Sequence, residues 1–288
     1  MDPAKGDRFA RNPPKMSQPP LTLLVDNGSL QPAATLALRD LATKLETRIK
    51  QPVEAVSLLH SSGIDPKLIG GQPAEILFPA LERRLADGQN EFVVVPLFFG
   101  PSDALTGYMP ENIERLSKKF PRLCVTMAPP LHASDDTRLA QILADHVRAE
   151  LGKSPGIPAR IALVDHGSPT RDVTAVRDEL ARQLAVILGP QAVTVAACSM
   201  ERRPDSAYDF CDPLLAALLE KSPWSDSRVI VAMQFLLPGR HAGPNGDVAK
   251  ICLAAEKAHP RLRSTMTKLV AEHPLLIDIL ADRWRGAR

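Results

Sequence analysis

The stretch Ile161–Thr170, IALVDHGSPT, is an apolar run that stops at an acid, a histidine, a glycine and a serine. Leu21–Leu30, LTLLVDNGSL, is nearly the same phrase with Asn27 where the later copy has His166. Each reads as a short buried strand followed by a tight turn. Working outward, the two copies are followed by the same succession of elements. LALRDLATKLETRI and TAVRDELARQLAVIL both space apolar residues as a helix does and carry an Arg-Asp pair in register. Strand-like VEAVSLL and VTVAACSM come next, then helix-like PAEILFPALERRLA and DFCDPLLAALLEK, then strand-like EFVVVPLFF and RVIVAMQFLL. The units close with APPLHASDDTRLAQILADHV and TKLVAEHPLLIDILADRW. Val94 with Val231, Ala104 with His241 and Asp145 with Asp282 keep one constant offset, which is the mark of a tandem duplication.

Each unit therefore reads β-α-β-α-β-α-β-α. Continuous Val/Ile/Leu strands suit a parallel sheet covered by helices on both faces. The expectation is an α/β protein of two tandem doubly wound parallel-sheet domains, residues 20–150 and 151–288, facing each other across a cleft. The Gly/Pro-punctuated segment ELGKSPGIPAR, residues 150–160, is the expected linker, and residues 1–19 form a loose proline-rich tail. In open α/β sheets ligands sit at the carboxyl ends of the strands, so the loops there are the place to look for chemistry.

Bulk properties narrow the classes. A chain of 288 residues with 44% apolar residues can bury two cores. A formal net charge of +2 gives no bias toward nucleic acid or a membrane surface. Cys124, Cys198, Cys211 and Cys252 form no C-x-x-C pair, which argues against a cysteine zinc site, an iron–sulfur cluster or a disulfide framework. The N-terminus lacks the apolar centre of a signal peptide, and no apolar run approaches the roughly 20 residues that span a bilayer. A cytoplasmic protein, a monomer or a homodimer, is expected.

His166 follows the first strand of the second unit and His241 the third, in FLLPGRHAGPNGD; Glu201, in CSMERRPDS, follows the second. All three therefore reach one sheet edge. Two imidazoles and a carboxylate suit a divalent transition metal with open coordination positions. A single loop histidine is ordinarily a surface or capping residue, and Asp165, Gly167 and Ser168 equally serve as cap and turn residues. The first unit is an internal control: Asn27 and Ala104 replace the imidazoles, and His60 stands at the place taken as matching Glu201. It keeps the fold and loses the ligands, which leaves it as the opposite wall of a shared cleft. His132, His146, His259 and His273 read as structural or solvated.

The duplicated β/α unit with strand-end DHGSP, the SMERRP turn and the FLLPGRHAGPNGDV loop resembles the sirohydrochlorin chelatases of the CbiX/SirB type, within the class II tetrapyrrole chelatases. The resemblance runs from about Leu21 onward. It implies an enzyme of the lyase class that inserts a divalent ion, Co²⁺ or Fe²⁺ and by the same ligand chemistry Ni²⁺, into sirohydrochlorin or a related tetrapyrrole in cobalamin or siroheme biosynthesis, with no organic cofactor. His166 and His241 match the metal-binding histidines and Glu201 the acidic residue. Two-unit relatives often keep their histidines in the N-terminal half, whereas this chain keeps them in the C-terminal half.

Insertion strips water from the ion and removes two pyrrole protons, which an imidazole or Glu201 is chemically able to accept. An octacarboxylate ring calls for cations: Arg202, Arg203 and Arg240 adjoin the ligands, each equally readable as a solvated loop arginine. Ser168 stands beside them, and Phe99 and Tyr108 of the first unit offer faces for the macrocycle. The alternative is a carrier or sensor of metal or tetrapyrrole on the same scaffold. A hydrolase built on Ser29 or Ser168 is disfavoured, since neither sits in a Gly-x-Ser-x-Gly elbow.

Overall fold

The computed structural model describes residues 19–288, so the proline-rich tail expected over residues 1–19 lies, up to Gln18, outside the described residues. The first unit runs β1 (Leu21–Asp26), α1 (Pro32–Ile49), β2 (Val53–Ser57), α2 (Leu77–Ala86), β3 (Glu91–Pro96), α3 (Met109–Lys119), β4 (Cys124–Met127) and α4 (Arg138–Gly152). The second repeats it as β5 (Arg160–Asp165), α5 (Arg171–Leu188), β6 (Thr194–Ser199), α6 (Leu215–Leu219), β7 (Arg228–Met233), α7 (Asp247–Ala258), β8 (Arg263–Met266) and α8 (Leu275–Gly286). Each unit forms a four-stranded sheet, in the orders β2-β1-β3-β4 and β6-β5-β7-β8, with every pairing parallel.

Strand side chains alternate between faces, so each sheet feeds two cores. In β5, Ile161 and Leu163 enter a core common to both units, whereas Ala162 and Val164 enter an outer core under α6 and α7. In β1, Leu24 enters the common core while Leu23 and Val25 join the outer core of the first unit. The helices of the common core are α1, α4, α5 and α8, and here sequence order and packing part company. α4 lies against α5 and β7 of the other unit, and α8 lies against α1 and β3. Leu139, Leu143 and Val147 of α4 and Leu276, Ile279 and Leu280 of α8 supply the buried stripes. Trp284 Nε1 of α8 donates to Thr22 Oγ1 of β1 at 2.9 Å. The last helix of each repeat thus covers the neighbouring sheet, and the common core follows from that exchange.

Two local expectations change. α4 continues to Gly152, into the segment read as linker, leaving residues 153–159 as the connection. The helix expected over DFCDPLLAALLEK breaks into a 3₁₀ turn, Ser206–Cys211, and the five-residue α6, because Pro213 has no N–H to continue the ladder.

Candidate metal and macrocycle site

The turns after β1 and β5 share the backbone hydrogen bonds they accept from the neighbouring strand's end. Gly28 has φ +90° and Gly167 φ +93°, and a Cβ there would lie 1.7 Å from the Leu59 carbonyl oxygen and 1.9 Å from that of Glu201. Only glycine fits this approach and conformation. Leu59 N donates to Asn27 O (3.1 Å) and Glu201 N donates to His166 O (3.2 Å). Those bonds match Glu201 with Leu59. His60, expected opposite Glu201, stands one residue further on, at the position of Arg202.

At the edge of the second sheet, His166 and His241 meet edge to face, with ring centroids 4.6 Å apart and an interplanar angle of 66°. His166 Nδ1 lies 2.9 Å from Gly167 O, and His241 Nδ1 lies 2.8 Å from Asp247 Oδ2. A carbonyl and a carboxylate can only accept, so each Nδ1 is the donor in its contact; that leaves Nε2 of His241 as the open nitrogen, whereas Nε2 of His166 faces a carboxylate. His166 Nε2 is 3.3 Å from Glu201 Oε1. Among the described residues no group of three His, Cys, Asp or Glu side chains is assembled to hold an ion. The arrangement is therefore an imidazole pair with one carboxylate at its side. Asp247, the first residue of α7, escaped the sequence reading. Its carboxyl is held below the usual range by Lys250 first and by His241 as well. Its signal was its place at a helix N-terminus six residues after a candidate ligand.

Beneath His166 the second unit buries a charged network. Asp165 Oδ1 accepts from Gly167 N (3.0 Å) and from Ser199 Oγ (2.6 Å), and Ser199 Oγ accepts from Arg177 Nη1 (2.6 Å). Arg177, 2% exposed, also donates to Cys211 O at 2.7 Å. Burial raises the Asp165 carboxyl, opposed by Ser199 and by the Arg177 charge. The first unit keeps the acid and the serine, since Asp26 pairs with Ser57 across the sheet as Asp165 pairs with Ser199. It lacks the cation. Counted from the strand-end aspartate, and along the matching burial patterns of α1 and α5, the counterpart of Arg177 is the fully buried Leu38. The Arg-Asp pairs of α1 and α5, expected in register, are one residue out: Arg39 lies toward the surface and donates to Ile69 O, Gln72 O and Pro73 O.

One cavity of about 680 Å³ joins the two sheet edges. Asp26, Asn27 and His60 line it from the first unit, and Asp165, His166 and His241 from the second. Phe99 and Arg240 also line it. Glu201 and Ser168 are outside this lining, Glu201 beside His166 and Ser168 Oγ accepting from Thr170 N at 3.1 Å. Arg202 and Arg203 also lie outside it: Arg202 pairs with Asp209 (2.9 Å) and Asp212 (3.0 Å), and Arg203 stacks on Tyr208. Tyr108 packs edge-on against Phe78 away from the cavity. His146 and His273 form a separate T-shaped pair beneath α8, with His146 Nε2 against Leu269 O. No helix among the described residues is long and apolar enough to cross a membrane.

Residues 160–287 match the CbiX family model. No curated protein sequence matches the chain. Among solved structures, the chain is similar to SirB from Bacillus subtilis with Fe³⁺, at 18% identity over 94% of this chain and 96% of that one, with a TM-score of 0.69. It is similar to the sirohydrochlorin chelatase SirB from Bacillus subtilis subspecies spizizenii in complex with cobalt, at 14% identity over 94% and 95% of the two chains, with a TM-score of 0.67. It is also similar to CbiX, described as the terminal enzyme for biosynthesis of siroheme in denitrifying bacteria, at 18% identity over 94% and 100%, with a TM-score of 0.59. At such identities the likeness is one of fold, and it extends through both units.

Proposed function

We propose that the protein is a tetrapyrrole chelatase of the CbiX kind, supported by the match of residues 160–287 to that family's model, and that it inserts Co²⁺ or Fe²⁺ into sirohydrochlorin or a closely related ring. The observation that carries this reading is the imidazole pair. The two imidazoles stand at the edge of a cavity shared by both units, and each ring is held through its Nδ1. Imidazoles bind first-row divalent ions firmly enough to collect them, and a pair with one flanking carboxylate leaves coordination positions for ring nitrogens to take over. A closed four-ligand site would retain the ion.

The metal and the ring are the two substrates. His166 and His241 receive the ion, Glu201 shares in holding or dehydrating it, and Phe98, Phe99, Leu236 and Leu237 offer the apolar surface a macrocycle needs. Arg240 is the one guanidinium lining the cavity among the described residues and is suited to a ring carboxylate. The product would serve siroheme or cobalamin formation. SirB structures with Fe³⁺ and with cobalt on the same fold support the choice of these two metals.

The test is the initial rate of insertion into sirohydrochlorin, followed by absorbance with Co²⁺ and Fe²⁺, for the full chain and for a His166→Ala/His241→Ala variant. A rate above the spontaneous one that the variant loses supports the reading. Binding of ion and ring with no acceleration would make the protein a carrier and sink it.

A further inference from the structure

Metal insertion releases two protons, and the cavity contains one carboxyl group placed as if to receive one. Asp26 lines the cavity from the first unit, the one without imidazole ligands. It is 8% exposed, and its Oδ1 is buried with no hydrogen-bond partner among the described residues. Its counterpart Asp165 has two donors on Oδ1 and the Arg177 guanidinium one hydroxyl away; Asp26 has a leucine where that guanidinium would stand. Ser61 Oγ donates to Ser57 Oγ at 2.8 Å, so the serine beside Asp26 belongs to an uncharged pair. A buried carboxylate without a cation is costly, and the protonated form relieves the cost. Burial, opposed by Ser57 and by the Gly28 N–H, raises the Asp26 carboxyl to about 6.

Resting on the chelatase reading above, we propose that Asp26 accepts a pyrrole proton during metal insertion. As the metal–nitrogen bond forms, the pyrrole N–H bond breaks, its electron pair stays on nitrogen, and the proton passes to the Asp26 carboxylate, which becomes the neutral acid. The neutral acid then gives the proton to solvent at the cavity mouth. The first unit thereby holds a chemical role as well as a wall, and one strand-end position serves two ends: an acid locked by a cation beneath the ligand turn in one unit, and an acid free to change its charge in the other.

The charged and titratable neighbours leave Asp26 free to do so. His60, Asp165, His166, Arg240 and His241 line the same cavity, and none is hydrogen-bonded or ion-paired to it. On the elements packed around β1, Arg39 of α1 is bound to carbonyls, Glu54 of β2 is paired with Arg84 at 2.7 Å, and Glu91 opens β3 at the opposite end of the strand.

The experiment compares the full-length protein with Asp26→Asn, which keeps shape and removes the titratable group, at saturating Co²⁺ so that the imidazoles are already held by metal. Insertion into sirohydrochlorin is followed from pH 5 to 8, and Co²⁺ affinity without the ring is read from its visible absorption. The expected result is a rate that rises with pH through an inflection near 6 in the parent, and an Asp26→Asn variant slower by about 100-fold at neutral pH, with that inflection gone and Co²⁺ affinity unchanged. Ser57→Ala, which leaves the carboxyl and removes a donor to its charged form, moves the inflection upward. A parent that inserts metal while Asp26→Asn keeps its rate and inflection overturns this assignment alone. A parent that does not insert metal overturns it together with the chelatase reading.

Discussion

The turn after β1 and the turn after β5 share their aspartate, glycine and serine, yet they rest on different foundations. Behind Asp165 stand Ser199 and a buried guanidinium; behind Asp26 stand Ser57 and a leucine core. The shared glycine is a requirement of the backbone, because a carbonyl oxygen passes where a Cβ would be in both turns. The imidazole and the arginine are not backbone requirements, and both occur on one side only. What duplication preserved in both units is therefore the geometry of the strand-to-helix turn. What differs is the charge it carries.

The largest effect expected from this asymmetry is at Arg177. Arg177→Leu installs the residue of the first unit and leaves Asp165 without its cation, at a cost of about 3–5 kcal/mol in urea unfolding. Arg39→Ala removes only half-exposed bonds to carbonyls and costs about 1 kcal/mol. Equal losses in the two variants would erase the distinction between locked and unlocked acids.

Asp26 gives the opposite sign. Its folded carboxyl titrates near 6, above the ordinary value of 3.8, so the native state binds the extra proton between those limits. Stability should fall as pH rises from about 4 to 6 and stay lowered above that. Asp26→Asn is therefore expected to stabilise the protein at neutral pH by on the order of 2–3 kcal/mol and to gain nothing below pH 4, as thermal unfolding across pH would show. A destabilised variant at pH 7 would mean that the carboxylate has a cationic partner.

The smallest effect concerns His241 rather than the fold. Asp247→Asn weakens the hold on Nδ1 and the basicity of Nε2, and Co²⁺ affinity should drop by about 10- to 100-fold with unfolding unchanged. An undiminished affinity would leave the Asp247 contact as a helix cap only.

Much of the site was legible in the strand-end phrases. A short continuous apolar run, a polar stop and a glycine specify a strand and its turn locally, and the parallel topology then sends every such turn to one edge. His166, His241 and Glu201 were placed at that edge by this reasoning, and in the structure His166 lies against both His241 and Glu201. Leu59, the true counterpart of Glu201, was missed by one residue because the match is set by backbone bonds from a different strand. Arg177 was missed because the two Arg-Asp dipeptides were matched to each other, while the residues twelve past each aspartate, Leu38 and Arg177, differ in chemistry and agree only in burial.

By itself the sequence determined the duplication, the sixteen alternating elements, the glycine turns and the side of the molecule that kept its imidazoles, because each of these is written in local pattern or in a fixed offset. Only the tertiary structure decided which sheet α4 and α8 cover, that Arg202 and Arg203 are engaged by Asp209, Asp212 and Tyr208, and that one buried aspartate has a cation behind it while the other has none. A helical stripe states that a face must be buried, and a charged side chain that it needs a partner. The choice of neighbour is made by packing between residues far apart in the chain.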